Sequence, residues 1–246
     1  MSRGASGPGP SWRAVALVAG SLVVLAGLAP VWGEGFTSHV VSHLLIGMLG
    51  PLLIVLGDPL GLLLGRANPA VRRGLLRALH HPIATTLSRP VVAWLLAVLS
   101  PWLLWLTPLY GVTERSDLLH ALVHLHFLAA GLLFATVVLG VGPLGRKVPP
   151  AGGLLLLALT LPTHALLGLV VLSMDEATLG VAAGGVDALA DQRRGAVVMW
   201  LAGDLIATAM LGAAFPRWLN AERRRSRRED EWVARAAEGA AQASRR

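Results

Sequence analysis

The chain has 246 residues, of which 54% are hydrophobic and only 14% are charged, and its formal net charge is +7. A soluble domain carries about 25% charged residues, so this composition excludes an ordinary soluble protein and predicts an integral membrane protein. A basic balance in a soluble protein would suggest a nucleic-acid partner. In a chain this apolar, we interpret the excess of basic residues as the feature that sets the orientation in the membrane and attracts anionic lipid. We expect no nucleic-acid partner.

Six apolar blocks are long enough to cross a hydrocarbon core about 30 Å thick as helices. They predict an all-α bundle of six transmembrane helices over residues 13–31, 39–57, 91–108, 118–139, 153–172 and 195–215. None shows the alternation of a barrel strand. Pro101 interrupts the third block and predicts a kink there. The chain is therefore expected to hold one membrane domain, residues 13–215, between a cytoplasmic segment, residues 1–12, and a basic cytoplasmic tail, residues 216–246.

The basic residues predict the orientation of this bundle. With six spans, all 21 Lys and Arg residues fall on one side of the membrane except Arg115, Arg193 and Arg194. By the positive-inside rule, that side is the cytoplasm and both termini lie there. The first block is interpreted as a retained span because it is longer than a usual signal-peptide core and no cleavage motif follows it.

Two histidine pairs open the second and fourth spans. His39 and His43 are four residues apart, as are His120 and His124, so each pair shares one helix face. Both spans run inward, which puts the pairs at the same depth near the outer surface. A single histidine at a helix end is usually an interfacial residue, but the repeated spacing favours a shared site. Such a site suits a metal ion or the edge of a haem.

Further ligand-capable side chains are predicted in or beside the outer halves of other spans. His164 lies in the fifth span, Met199 and Asp204 lie in the sixth, and Asp191 precedes the sixth. His164 and Asp204 are either a buried pair that neutralises itself or a functional pair, and both interpretations stay open. His126 faces away from its neighbour His124 and is interpreted as structural. The tryptophans near span ends are interpreted as interfacial anchors.

The residue types and motifs that the chain lacks restrict the classes of function it can have. Cysteine is absent, which excludes disulfides, iron–sulfur clusters and thiolate ligands. Imidazole, carboxylate and thioether groups remain, and these suit copper, zinc or haem iron. The chain has no phosphate-binding glycine loop, no nucleophile-elbow motif and no HExxH motif. We therefore predict a protein that is not an enzyme.

Several sequence segments together resemble one known family, the multi-span CtaG-like cytochrome c oxidase assembly proteins. The first segments are Ser38-His39, His43-Leu44-Leu45, Gly50-Pro51-Leu52 and Gly57-Asp58-Pro59-Leu60. The later ones are Pro108-Leu109-Tyr110, His120 and His124, Gly131-Leu132-Leu133-Phe134, Leu161-Pro162, Gly168-Leu169, Asp191-Gln192, Gly195 and Met199-Trp200. Each segment is loose by itself, whereas their shared order and spacing are fairly specific.

The resemblance implies a multi-pass plasma-membrane factor that helps the terminal oxidase to mature by supplying or inserting copper on the outer side. Oxidase subunits and the bilayer would be its partners. The copper ligands would be His39, His43, His120 and His124, with Asp191 as a further ligand or a base beside them. The loop over residues 173–194 would cover this site or receive a partner.

The chain also departs from the family pattern. Leu106-Thr107 stands where relatives often carry a histidine, so a site that uses that histidine would have one ligand fewer. Ala135-Thr136 and Gln192-Arg193 also differ from the usual pattern. One alternative is a haem-bearing oxidoreductase in which two of the histidines are axial ligands. A proton-coupled carrier that uses His164 and Asp204 ranks last, because no repeated halves are found.

Overall fold

The computed structural model of the chain describes residues 11–29, 35–145, 148–175 and 188–243, and the regular secondary structure in these ranges is entirely helical. The helices, in chain order, are α1 Ser11–Leu28, α2 Phe36–Leu56, α3 Pro59–Arg66, α4 Pro69–Leu79, α5 Pro82–Leu87, α6 Pro90–Val98, α7 Ser100–Leu106, α8 Leu109–Thr113, α9 Asp117–Leu139, α10 Gly142–Gly145, α11 Pro150–Leu172 and α12 Ala188–Ala243. The predicted helical class is confirmed.

Four of these helices are long and apolar enough to cross a membrane: α2, α9, α11 and the Ala188–Arg235 part of α12. The first and third predicted spans correspond to shorter apolar helices, Trp12–Leu28 and Pro90–Leu106. The second of these is divided at Leu99, just before Pro101, where α6 ends and α7 begins. The predicted interruption at Pro101 is therefore confirmed, while a count of six spans stays a prediction.

The segment between the second and third predicted spans forms three short helices, α3, α4 and α5. Each of α3, α4 and α5 begins with a proline, whose missing N–H costs nothing in the first helical turn. The carboxylate of Asp58 accepts a hydrogen bond from the Gly61 N–H at 3.0 Å, and Asn68 caps α4 through the Val71 N–H at 2.9 Å. These caps define the helix starts that hydropathy alone does not reveal.

Contacts at one end of the bundle show that α2, α9 and α12 run in the same direction. Asp191 in the first turn of α12 bonds to the backbone of Phe36 at the start of α2. The ring of His39 near the start of α2 stacks on that of His120 near the start of α9, with centroids 4.9 Å apart. We call this the histidine end of the bundle.

Contacts at the opposite end show that α1 and α11 run the other way. Arg13 near the start of α1 lies 3.6 Å from Asp58, which follows the last turn of α2. Arg217, far along α12, donates hydrogen bonds to the carbonyls of Gly145 and Val148, just before α11 begins. The alternation of directions is the one that the sequence analysis predicted for the corresponding spans.

Glycine allows α2 and α9 to approach each other closely below the histidines. A Cβ atom at Gly131 would clash with the carbonyl oxygen of Gly47 and lie 2.9 Å from Pro51 Cγ. Around this contact, α2 is π-helical over Leu45–Leu49 and α-helical on both sides. Such single π turns are rare and often occur at functional sites.

The charged tail extends α12 without a break. The helix continues to Ala243 and carries the exposed ion pairs Arg225–Glu229 and Arg235–Glu231, each four residues apart. Pairs at this spacing lie on one face of a solvent-exposed helix and support it weakly. The tail is therefore helical as far as Ala243, as a direct continuation of the helix that begins at Ala188.

Candidate metal centre

The two predicted histidine pairs meet at the histidine end of the bundle. Within each pair the rings are joined through Nε2 atoms, at 2.8 Å for His39 and His43 and 3.2 Å for His120 and His124. Between the pairs, ring centroids are 4.9 Å apart for His39 and His120, and 5.0 Å for His43 and His124. We call these four side chains the histidine cluster.

Two overlapping sets of atoms in and beside this cluster are arranged so that they could hold a metal ion. His39, His43 and His124 offer three nitrogen atoms within 4.8 Å of one another, and His39, Glu114 and His120 offer a second such set. His39 belongs to both. Three imidazoles, or two imidazoles and a carboxylate, are ligand sets suited to copper or zinc.

Glu114 is a member of the site that the sequence analysis missed. Its Oε1 lies 3.2 Å from His39 Nδ1 and 3.9 Å from His120 Nδ1. The hydrogen bond from His39 lowers the pKa of the Glu114 carboxyl, which therefore carries its charge at neutral pH. Its place between α8 and α9, six residues before His120, was the available signal, because a short connection must leave it near the start of α9.

Aromatic side chains form one wall of the cluster. Trp105 and Tyr110 meet the ring of His39 edge-on at centroid distances of 5.5 and 5.1 Å, and Phe127 meets His43 at 4.4 Å. Tryptophans near span ends were expected to be mostly interfacial anchors, but Trp105, which was among them, is only 3% exposed and packs against the cluster. Packed aromatic rings fix the orientation of the imidazoles and keep lipid away from them.

Exposure changes along the cluster from one side to the other. The His120 side chain is 33% exposed and the Glu114 side chain 36%, whereas His43 is 5% exposed. The cluster therefore has an open side, formed by α9 and the connection before it, and a buried side on α2. An ion could enter at Glu114 and His120 and reach His43 without crossing an apolar layer.

Asp191 lies beside the cluster and holds the start of α2. Its Oδ2 accepts a hydrogen bond from the Phe36 N–H at 2.7 Å, and its Oδ1 accepts one from the Thr37 hydroxyl at 2.7 Å. A carboxylate at a helix N-terminus satisfies free N–H groups and complements the helix dipole. Neither metal-capable set of described residues includes Asp191, so the geometry gives it a positioning role one turn before His39.

The remaining predicted groups lie away from the cluster. His164 Nδ1 on α11 is 3.6 Å from Asp204 Oδ1 on α12, and Trp200 donates a hydrogen bond to the other oxygen of Asp204 at 3.1 Å.

Met199 is buried in the apolar core at the histidine end. His126 hydrogen-bonds with Ser100 at 2.7 Å and turns away from the cluster, as predicted. Of the loop over residues 173–194, residues 176–187 lie outside the described part of the chain.

Comparison with known proteins identifies the family. The model of the family described as cytochrome c oxidase caa3 assembly factor (Caa3_CtaG) matches residues 2–221. The chain therefore belongs to this family, and the resemblance noted from its sequence is confirmed.

Relatives among curated proteins come from mycobacteria. The chain is 30% identical over 243 residues to the uncharacterized protein Mb0105 of Mycobacterium bovis and to MT0111 of Mycobacterium tuberculosis. It is 28% identical over 238 residues to ML1998 of Mycobacterium leprae. Each match covers 90% of this chain but only 36–37% of the relative, so the chain spans little more than a third of those proteins. No solved structure matches the chain significantly.

Proposed function

We propose that this protein is a non-enzymatic assembly factor of the plasma membrane that supplies copper to cytochrome c oxidase through the histidine cluster. The observation that carries the proposal is the meeting of His39, His43, His120 and His124 with the carboxylate of Glu114 at one end of the bundle. Polar groups inside a membrane domain are costly to keep and usually have a task. Oxidase subunits are the proposed partners.

The ligand chemistry supports a role in transfer rather than storage. The chain has no cysteine, so every nitrogen or oxygen ligand is weaker for copper than a thiolate would be. A factor that passes on its cargo needs such exchangeable ligands. The graded exposure of the cluster, from open His120 to buried His43, supports stepwise movement of the ion.

The predicted six-span topology supports a position of the cluster on the outer side of the membrane. If α1 and the α6–α7 pair also cross the membrane, the chain has six spans, and the distribution of Lys and Arg puts both termini in the cytoplasm. The histidine end then faces outward. Nine arginines lie beyond Pro216 and belong to the tail at the other end, where their contact with anionic lipid would hold this orientation.

A haem with two of these histidines as axial ligands fits the cluster less well. His43 and His124, like His39 and His120, have rings at direct contact distance, so a porphyrin plane cannot lie between them without separating α2 from α9. An absorption spectrum of the purified protein decides between the two ligands. A Soret band that shifts on reduction would show that the protein binds haem, and haem would then be the proposed ligand in place of copper.

The direct test of the function is a deletion strain. We expect membranes without this protein to lose the absorption of assembled cytochrome c oxidase and to contain less copper, and we expect the wild-type gene to restore both. A gene in which both His43 and His124 are replaced by alanine should restore neither, although its product reaches the membrane in normal amount. Normal oxidase in the deletion strain would refute the proposed function.

Glu114→Gln should weaken copper binding by about 10- to 100-fold, the usual effect of losing a group that orients a ligating histidine. The amide keeps the size of the side chain but removes the charge beside His39 Nδ1, at 3.2 Å, and His120 Nδ1. Competition with a copper chelator of known affinity measures the change. Asp117→Asn, a nearby acidic residue outside both metal-capable sets, is the matched control and should leave the affinity within about twofold of wild type.

A further inference from the structure

A small cavity of about 60 Å³ lies inside the bundle, on the buried side of the histidine cluster. Two imidazoles and three methionines contribute to its wall: His43, His164, Met48, Met199 and Met210. Three of the five methionines of the chain thus line one cavity. The rest of the lining is almost entirely apolar. The volume accommodates an ion with a water molecule and is far below the roughly 300 Å³ of the smallest drug-sized pockets.

His43 presents a buried nitrogen atom that has no hydrogen-bond partner among the described residues. This atom is Nδ1, and the residue is only 5% exposed. Leaving a buried polar group unsatisfied is unfavourable, and a ligand in the cavity would satisfy this atom. His164 also contributes to the wall, with its Nδ1 atom 3.6 Å from Asp204 Oδ1.

His43 connects this cavity with the histidine cluster. Its Nε2 atom bonds to His39 within the cluster, while its Nδ1 atom is the one left unpaired on the buried side. The π-helical turn Leu45–Leu49 begins two residues later and contains Met48. One imidazole therefore has a nitrogen atom for each of the two sites.

The methionines lie at more than one level of the bundle. Met199 and Met210 are eleven residues apart on α12, which corresponds to about 16 Å along a helix axis. His164 faces the stretch between them, because its imidazole meets both Gly203 and Asp204 of α12. The soft groups therefore extend from the histidine end toward the middle of the bundle. Met48 packs against the same core cluster as Met199, so these two, and not Met210, are within reach of one ion beside His43.

We infer that this cavity is a second, deeper site that takes a monovalent soft cation, Cu(I), from the histidine cluster. This inference rests on the proposed function, since the cluster supplies the ion. Thioether and imidazole groups are neutral and soft, the combination that selects Cu(I) over harder ions. A single positive charge costs less to desolvate than a double one, so a monovalent ion suits a cavity with this apolar lining. The ion moves without a change of oxidation state.

Silver(I) tests this site because it has the same charge and ligand preference and does not change oxidation state. The full-length protein in detergent, labelled with methyl-13C methionine, is titrated with Ag(I) and observed by NMR. We expect the methyl signals of Met48 and Met199 to shift, and that of Met174 to stay. Met174 does not line the cavity, and its sulfur accepts a hydrogen bond from Gln192, so it serves as the internal reference.

A double variant in which Met48 and Met199 are replaced by leucine checks the stoichiometry. Leucine conserves the volume of methionine, so the fold should be kept. We expect the double variant to bind one Ag(I) ion fewer than wild type, and Met174→Leu to bind the full number. If the double variant fails to fold, the wild-type titration alone decides the question.

The outcomes separate this inference from the proposed function. If Ag(I) binds but leaves every methionine methyl signal unmoved, the deeper site does not exist, while the histidine cluster keeps its role. If the Met48 and Met199 methyl signals shift but the histidine variants still mature the oxidase, the cavity binds the cation and the proposed function is wrong. Wild-type protein that binds no Ag(I) and no copper would refute both.

Discussion

Replacing His43 and His124 together by alanine is expected to lower the copper affinity of the purified protein by on the order of 100-fold or more. The two side chains belong to the set of three nitrogen atoms that lie within 4.8 Å of one another, and their removal leaves only His39 in that set. Losing an orienting group costs about 10- to 100-fold in metal affinity, so losing two ligands should cost more. Equilibrium dialysis followed by metal analysis measures the change.

The matched control for this experiment is His126→Ala. His126 is on the same helix as His124 and has an imidazole of the same type, but it hydrogen-bonds with Ser100 outside the cluster. We expect its copper affinity to equal that of wild type, with unchanged helix content for all variants. Equal copper binding by wild type and the double variant would exclude His43 and His124 from the copper site.

The meeting of the histidine pairs could be predicted because it depends on few assumptions. Residues four apart on a helix share a face, and two helices that start at the same end bring such faces to one level. The start of α2 just before His39 and that of α9 just before His120 are both readable from hydropathy. Only the rotation of each helix about its axis was left open, and apolar packing around Phe127 fixes it.

The polar neighbours of the cluster could not be predicted because they depend on tertiary contacts. Glu114 lies in the connection between α8 and α9, where the hydropathy pattern does not predict which way a side chain faces. Asp191 was expected as a further ligand or as a base beside the ligands, and its hydrogen bonds go to the backbone of α2. The burial of Trp105 follows from the break at Leu99, which turns α7 toward the cluster rather than the membrane surface.

The number of membrane-spanning helices also could not be predicted from hydropathy alone. The six apolar blocks include two whose helices are short, because α1 is only 18 residues long and Leu99 divides the third block. Hydropathy measures how well a segment tolerates lipid, whereas crossing also needs an unbroken length of about 20 residues. The six-span topology therefore depends on the charge distribution more than on helix length.

Gly131→Leu is expected to disrupt the site from a distance by separating α2 from α9. A Cβ atom at position 131 would clash with the carbonyl oxygen of Gly47, which is backbone and cannot rotate away. Overpacking of this kind costs about 3 kcal/mol. Gly47 is one turn beyond His43, and Gly131 is two turns beyond His124, so the two histidine pairs should move apart. A displacement of about 1 Å is enough to spoil a metal site.

Two measurements check this expectation, the midpoint of thermal unfolding in detergent and the copper affinity, and we expect both to fall, the affinity at least about tenfold. Gly212→Leu is the matched control, because a Cβ atom at this exposed position of α12 meets nothing within 4 Å. Its effect on stability should stay within about 0.5 kcal/mol. If the two variants behave alike, the close approach of α2 and α9 does not hold the histidine pairs together, and the cluster must be positioned by the aromatic wall around His39 and His43 instead.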